Sequence, residues 1–179
     1  MNFPEEIILE HFTLRKLKYS DASSITKHIT RDIVRYVSNI PYPYTEQHGK
    51  DFVQRSRKNW KNKTELVYGI EINNQIVGIC SLTDISQTNR HATIGYWLAQ
   101  EYWGKKIITQ AATKIVEIAF ITLNLHRITA ECFEENLASK HIIEKLDFSY
   151  EGTKRDALYR ENHWHNILCY SLLETEYKK

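Results

Sequence analysis

The chain has 179 residues, of which 42% are apolar and 26% charged, with a formal net charge of +2. This length suits one domain over residues 1–179 that buries its own core without metal or disulfide help. The near-neutral balance argues against direct nucleic-acid binding, and no run approaches the roughly 18 apolar residues of a membrane span.

The start, Met1-Asn-Phe-Pro-Glu-Glu6, is acidic and lacks the basic-then-apolar pattern of a signal peptide. Cys80, Cys132 and Cys169 are odd in number and far apart, which suits reduced thiols packed as small hydrophobes in a cytoplasmic protein. Phe12-Thr-Leu-Arg-Lys-Leu17 alternates and predicts a first strand. Ser20 is placed to cap a short helix with Ala22, Ile25 and Ile29 on one face. Pro41-Tyr-Pro-Tyr44 is a stiff, non-helical connection, read either as an aromatic lip over a groove or as a rigid linker. From the N-cap Thr45, with Glu46 in the first turn, a second helix runs to about Trp60. Arg55, Arg57, Lys58, Lys61 and Lys63 then read as a solvated helix end rather than a dock for an acidic partner.

A β-rich middle follows. Strands at 66–72 and 76–82 flank the turn Asn73-Asn74-Gln75, and strands at 79–85 and 92–98 flank the polar stretch 86–91. Ile94-Gly-Tyr-Trp-Leu-Ala-Gln-Glu-Tyr-Trp-Gly-Lys-Lys-Ile-Ile-Thr-Gln-Ala111 is the most informative stretch. It reads as a strand, a turn through Trp103-Gly104, and a helix from about Lys105 to Leu123 with Ile108, Ala111, Ala112, Ile115 and Ala119 on its inner face. A helix starting directly after such a turn aims unpaired N–H groups and its positive dipole end outward, which suits phosphate. A strand at 126–133, a helix at 137–146 and strands at 149–152 and 164–173 complete the chain. The strand–helix–strand unit requires a parallel pair within an otherwise antiparallel sheet, so the predicted fold class is α+β, with six to seven strands and helices on both faces.

In this order, Ile94-Gly-Tyr-Trp-Leu-Ala99, Trp103-Gly-Lys-Lys-Ile-Ile-Thr109 and Glu135-Asn-Leu-Ala-Ser-Lys-His-Ile-Ile-Glu-Lys-Leu-Asp-Phe148 resemble the GNAT superfamily of acyl-CoA-dependent N-acetyltransferases. Leu123-Asn-Leu-His-Arg-Ile128, Trp164-His165 and Tyr170-Ser-Leu-Leu173 add support, and the similarity runs from Phe12 to Leu173. The branch it is most similar to is that of the ribosomal-protein N-terminal acetyltransferases. The resemblance implies acetyl-CoA as cosubstrate, held by Trp97, Leu98 and Ala99 at the end of a splayed strand. Trp103, Gly104, Lys105, Lys106, Ile107, Ile108 and Thr109 then form the pyrophosphate turn. It implies an oxyanion-binding N–H near Leu98, and it makes Asn136 an anchor for the cofactor arm. Many relatives donate a proton to the departing thiolate from a tyrosine where this chain has Ile143; the Asn136-Leu-Ala-Ser139 pattern of the branch assigns that role to Ser139 instead. A homodimer is compatible with the resemblance.

The implied acceptor is a primary amine, such as the N-terminus of a ribosomal protein. The rivals are a small amine, polyamine or amino sugar, and a catalytically weak acyl-CoA-binding regulatory protein. Lys106 and the tyrosine missing at Ile143 motivate the last; at 106 the superfamily pattern has glycine. With ordinary helical φ a lysine costs nothing and its ammonium can meet phosphate; with positive φ it is strained by about 1–2 kcal/mol. Asp147, where relatives carry glycine, raises the same question more mildly. No residue stands out as general base: Glu71 could face the groove, but exposed decoration of the sheet is its plainer reading. His163 and His165 share a strand face, yet no Cys or acid at ligand spacing joins them, so no metal is expected.

Overall fold

The computed structural model describes residues 3–38 and 40–177. In chain order the elements are β1 (Glu6–Ile8), β2 (Thr13–Lys16), α1 (Ala22–His28), α2 (Arg31–Val34), α3 (Glu46–Asn62), β3 (Leu66–Ile72), β4 (Gln75–Ser86), β5 (His91–Leu98), α4 (Ile107–Glu117), β6 (Arg127–Phe133), α5 (Leu137–Lys145), β7 (Ser149–Arg160) and β8 (His163–Leu173). Among the described residues, no helix is long and apolar enough to cross a membrane.

The strands form one sheet in the order β1-β2-β3-β4-β5-β6-β8-β7. All neighbours are antiparallel except β5 and β6, which are parallel, as the crossover through α4 requires. Asn73 and Asn74 join β3 to β4 with φ of 50° and 61°, the left-handed pair that lets a two-residue hairpin follow the strand twist. One face of the sheet packs Leu66, Tyr68, Cys80, Ile94 and Ile128 against Ala111, Ala112 and Ile115 of α4 and Ile143 of α5. The other face packs Val67, Ile79 and Trp97 with Ile25 of α1 and Val53 of α3. Helices thus cover both faces, each burying the apolar stripe its spacing predicts.

The sheet has eight strands rather than six or seven. β1 is the addition, an edge strand of three residues pairing Glu6 with Arg15 and Ile8 with Thr13, too short to carry a pattern. β7 runs to Arg160, well past 152; it is exposed and twice shifted in register, so its sequence does not alternate. α2 is a single turn. α4 begins two residues later than Lys105 and ends in a π-helical turn, Ile118–Thr122. Thr45 does cap α3, accepting the His48 N–H at 3.3 Å. Ser20 caps nothing; it lies in the short 3₁₀ turn Tyr19–Asp21, and Asp21 organises the approach to α1.

Asp21 accepts the Lys18 N–H at 2.7 Å and the Arg15 guanidinium at 2.8 and 2.9 Å. Arg15 also reaches Glu71 at 2.7 Å, so Glu71 is neither exposed decoration nor a groove residue but the partly buried arm of a charge cluster centred on buried Arg15 and Asp21. Removing the cation alone would strand two carboxylates at the β2–β3 seam. Arg15→Ala is expected to destabilise the fold by about 3–5 kcal/mol, measured by urea unfolding; a loss under about 1 kcal/mol would show that water reaches the acids freely.

Candidate active site

The site originates in the backbone. β5 and β6 pair in register from His91 with Arg127 to Ile94 with Ala130. Beyond that each follows its outer neighbour: β5 stays on β4 as far as Gly78 with Leu98, and β6 stays on β8 as far as Phe133 with Ile167. A gap therefore opens between them. The Ala99 N–H donates to the Val77 carbonyl at 2.8 Å. By alternation Trp97 and Gly95 also face β4, while Tyr96 and Leu98 turn their backbone groups into the gap. The Leu98 carbonyl accepts the Trp103 indole N–H at 2.7 Å, which ties the following turn to the strand end.

That turn carries two left-handed residues, Gly104 at φ 75° and Lys106 at φ 61°. A Cβ on Gly104 would meet nothing within 4 Å, so its glycine serves conformation rather than space. Lys106 takes the positive-φ branch, with the strain that follows for a residue bearing Cβ. It is also the N-cap of α4. The first helical bond runs from the Gln110 N–H to the Lys106 carbonyl at 3.0 Å, so the N–H groups of Ile107, Ile108 and Thr109 have no partner in the preceding turn. They present an anion cradle beside the strand gap.

α5 forms the facing wall. Asn136 caps it, its Oδ1 accepting the Ser139 N–H at 3.1 Å. The Ser139 hydroxyl lies 3.0 Å from the Tyr96 hydroxyl. The sequence reading missed Tyr96; its place on the strand facing α5 was legible, its contact with Ser139 was not. Burial raises the pKa of the Tyr96 phenol and pushes the neighbouring Cys132 thiol up to about 11, so both stay protonated at neutral pH. Ile143 is buried in the core, with no proton to offer. Asp147 has φ 62°, a left-handed residue after a helix, a conformation aspartate tolerates.

One cleft of about 1360 Å³ joins these parts. Trp97, Leu98, Trp103, Gly104, Lys106, Ile107, Ile108, Thr109, Asn136 and Ser139 all line it. Ala99 and Lys105 do not: Ala99 is buried against β4, and Lys105 is exposed with its ammonium 5.2 Å from the Tyr102 ring. The far half is lined by Ile33, Tyr36, Pro41, Tyr44 and Phe52, with Asp32, Asp51, Glu65 and Asp84 among them. Pro41 and Tyr44 thus belong to a lip rather than a mere linker. Arg55 also turns into the cleft, while Arg57 donates to the Leu17 carbonyl at 2.6 Å.

A family model for the acetyltransferase (GNAT) domain matches residues 11–149. The chain is 31% identical over 173 residues, 94% of each protein, to the "Putative ribosomal N-acetyltransferase YdaF" of Bacillus subtilis. It is 26% identical to the spermidine N(1)-acetyltransferase of Escherichia coli over 148 residues, 81% of this chain and 76% of that one. The crystal structure of the ribosomal-protein-S5-alanine acetyltransferase of Vibrio fischeri shares the fold with a TM-score of 0.87 at 24% identity, covering 97% of this chain and 99% of that one. With the splayed parallel pair and the helix cradle in place, the chain belongs to the GNAT acetyltransferases, and acetyl-CoA is its acyl donor.

Proposed function

We propose that this protein is a cytoplasmic N-acetyltransferase, working as one domain, that acetylates the α-amino group of a protein N-terminus such as that of a ribosomal protein. The transfer chemistry is carried by the Ser139–Tyr96 hydroxyl pair, 3.0 Å apart in the cleft, and the acceptor is supported by the likeness to the "Putative ribosomal N-acetyltransferase YdaF" of Bacillus subtilis. Pantetheine amides pair with the free backbone groups of Tyr96 and the second lone pair of the Leu98 carbonyl, extending the sheet by a pseudo-strand and leaving the Leu98 N–H for the thioester. Trp97 and Ala99 hold that strand end on β4. The pyrophosphate rests on the N–H groups of Ile107, Ile108 and Thr109, with Gly104 and Lys106 shaping the turn, Trp103 pinning it and Lys105 at its rim. Asn136 steadies the cofactor arm from the start of α5.

The neutral amine attacks the thioester carbonyl, and the Leu98 N–H stabilises the oxyanion that forms. Collapse of the tetrahedral intermediate breaks the C–S bond. Tyr96 donates to the Ser139 oxygen, which frees the Ser139 hydrogen to meet the departing thiolate. An α-amino group, with pKa about 7.7–8.0 against about 10.4 for lysine, loses its proton readily enough for water relayed to a cleft carboxylate to serve as base. The carboxylates of Asp32, Asp51, Glu65 and Asp84 also favour a second reading, a polyamine acceptor, which the spermidine acetyltransferase relative supports.

Thiol release measured against N-terminal peptides, spermidine and an amino sugar decides between them. A peptide acceptor is expected to give a rate rising with pH through about 8, as the amine deprotonates; a preference for spermidine overturns the peptide reading. Tight acetyl-CoA binding with no release on any acceptor would make the protein an acyl-CoA-binding regulator. Ser139→Ala is expected to lower kcat by about 10²-fold with little change in acetyl-CoA affinity, and Tyr96→Phe by about 10-fold. Equal losses in binding and turnover would reduce Ser139 to a binding residue. Lys106→Gly relieves left-handed strain and is expected to stabilise the fold by about 0.5–1 kcal/mol after the entropy gained by the unfolded chain. It should weaken acetyl-CoA binding about 5-fold through loss of the ammonium; a gain in affinity would identify the lysine as an obstruction.

A further inference from the structure

The fold brings together three side chains that the proposed transfer chemistry does not use. His163 and His165 sit two apart at the start of β8, on one face, with ring centroids 3.8 Å apart. Their neighbour in space is Glu135, from the loop between β6 and α5, the acid that sequence spacing does not supply. One ligand atom from each of the three residues lies within 4.8 Å of the others.

We propose that Glu135, His163 and His165 form a binding site for a divalent transition-metal ion of borderline softness, with Zn²⁺ as the reference. A His₂Glu set is a neutral-imidazole and carboxylate donor group suited to such an ion, and it leaves a coordination position for water. Ligand atoms in a tetrahedral zinc site stand about 3.2–3.6 Å apart, given bonds of about 2.0–2.2 Å. The Glu135 Oε1 and His165 Nδ1 atoms are already 3.2 Å apart. His163 is exposed, so a rotamer adjustment brings in the third ligand.

The hydrogen-bond inventory points the same way. His165 is 9% exposed, and its Nε2 is buried with no partner. With Nδ1 facing Glu135, either neutral tautomer leaves a ring nitrogen unsatisfied: a bare buried lone pair, or a buried N–H with no acceptor. An ion held between Nδ1 and the Glu135 carboxylate would remove the lone-pair repulsion that the Nε2–H tautomer otherwise meets at Nδ1. His163 Nδ1 lies 3.2 Å from the Glu161 carbonyl, a bond that fixes the tautomer and leaves Nε2 as a lone pair. Glu161 and Asn162, with φ of 49° and 64°, close a tight hairpin that sets His163 opposite Arg160. Arg160 in turn donates to the Val37 carbonyl at 3.0 Å. The ion would tie β8 to the loop that leads into α5, with the Phe133 ring packed edge-on to His165 between it and the cleft.

The test uses the whole protein, stripped with chelator and dialysed. Titration with Zn²⁺ by calorimetry is expected to give one equivalent bound. Co²⁺ is expected to give visible bands of a tetrahedral site without thiolate charge transfer. His163→Ala and Glu135→Gln, both at exposed positions, should each weaken Zn²⁺ binding by at least about 10-fold. Zn²⁺ should raise the melting temperature of the parent protein and not that of His163→Ala. His165 packs on Phe133, so the exposed pair carries the test. Absence of binding, unchanged affinity in both variants, or a thiolate band placing the ion on cysteine each overturns the proposal.

Discussion

The site depends on one constraint: β5 and β6 must part while each remains bonded on its outer side. If the parallel ladder continued past Ile94 and Ala130, Tyr96 and Leu98 would spend their backbone groups on β6, and no slot would exist. Because β5 holds to β4 through Leu98, and β6 holds to β8 through Phe133, the divergence costs no outer pairing. It does leave polar backbone on the floor of a cleft, which is tolerable only where water or a ligand's amides supply partners. One of those groups is already answered from within, since the Trp103 indole takes the Leu98 carbonyl. The bond makes the strand end and the turn before α4 a single unit.

That unit explains how a glycine-poor loop can keep its shape. The cradle at the start of α4 needs the N–H groups of Ile107, Ile108 and Thr109 aimed outward, and this is a matter of backbone direction. Gly104 reaches its left-handed conformation freely; Lys106 reaches the same region at a cost. Burial of Ile107 and Ile108 against the core holds the helix start in place and sustains that cost. The side chain at 106 is exposed, so replacing glycine adds strain and a positive charge without blocking the turn.

What was legible in the sequence follows from how information is distributed along it. The α4 stripe, the Asn73-Asn74 turn, the Thr45 cap and the strand–helix–strand unit are local patterns, and each gave its element or its topology correctly. β1 and α2 are too short for a period to register, and exposed β7 has no alternation to read. The φ of Lys106 was not legible, because a lysine is compatible with either branch. Residues far apart in the chain but adjacent in space were out of reach: Arg15 with Glu71, Tyr96 with Ser139, and Glu135 with His165. Glu71 shows why. Its alternation fits a groove residue or a surface one, and only β2–β3 pairing sets it beside Arg15.

The two halves of the cleft rest on different kinds of evidence, and this bears on how such a protein changes acceptor. The donor half is made of strand direction, a helix start and one indole bond, so it survives side-chain drift, and a family resemblance detects it. The other half is made of side chains from α2, the connection leading to α3, α3 itself and the β3–β4 hairpin, contributed one or two at a time, so no single stretch of sequence carries its pattern. Ser139 stands at the junction and is held from both sides, by Asn136 through its N–H and by Tyr96 through its hydroxyl. Asn136 follows Glu135, whose carboxylate meets His165, so the start of α5 is braced against β8 as well as against β5. Substitutions at Asp32, Tyr36, Tyr44 or Asp84 can therefore reshape that wall of the cleft without moving the Ser139 hydroxyl, because none of them is among the groups that position it.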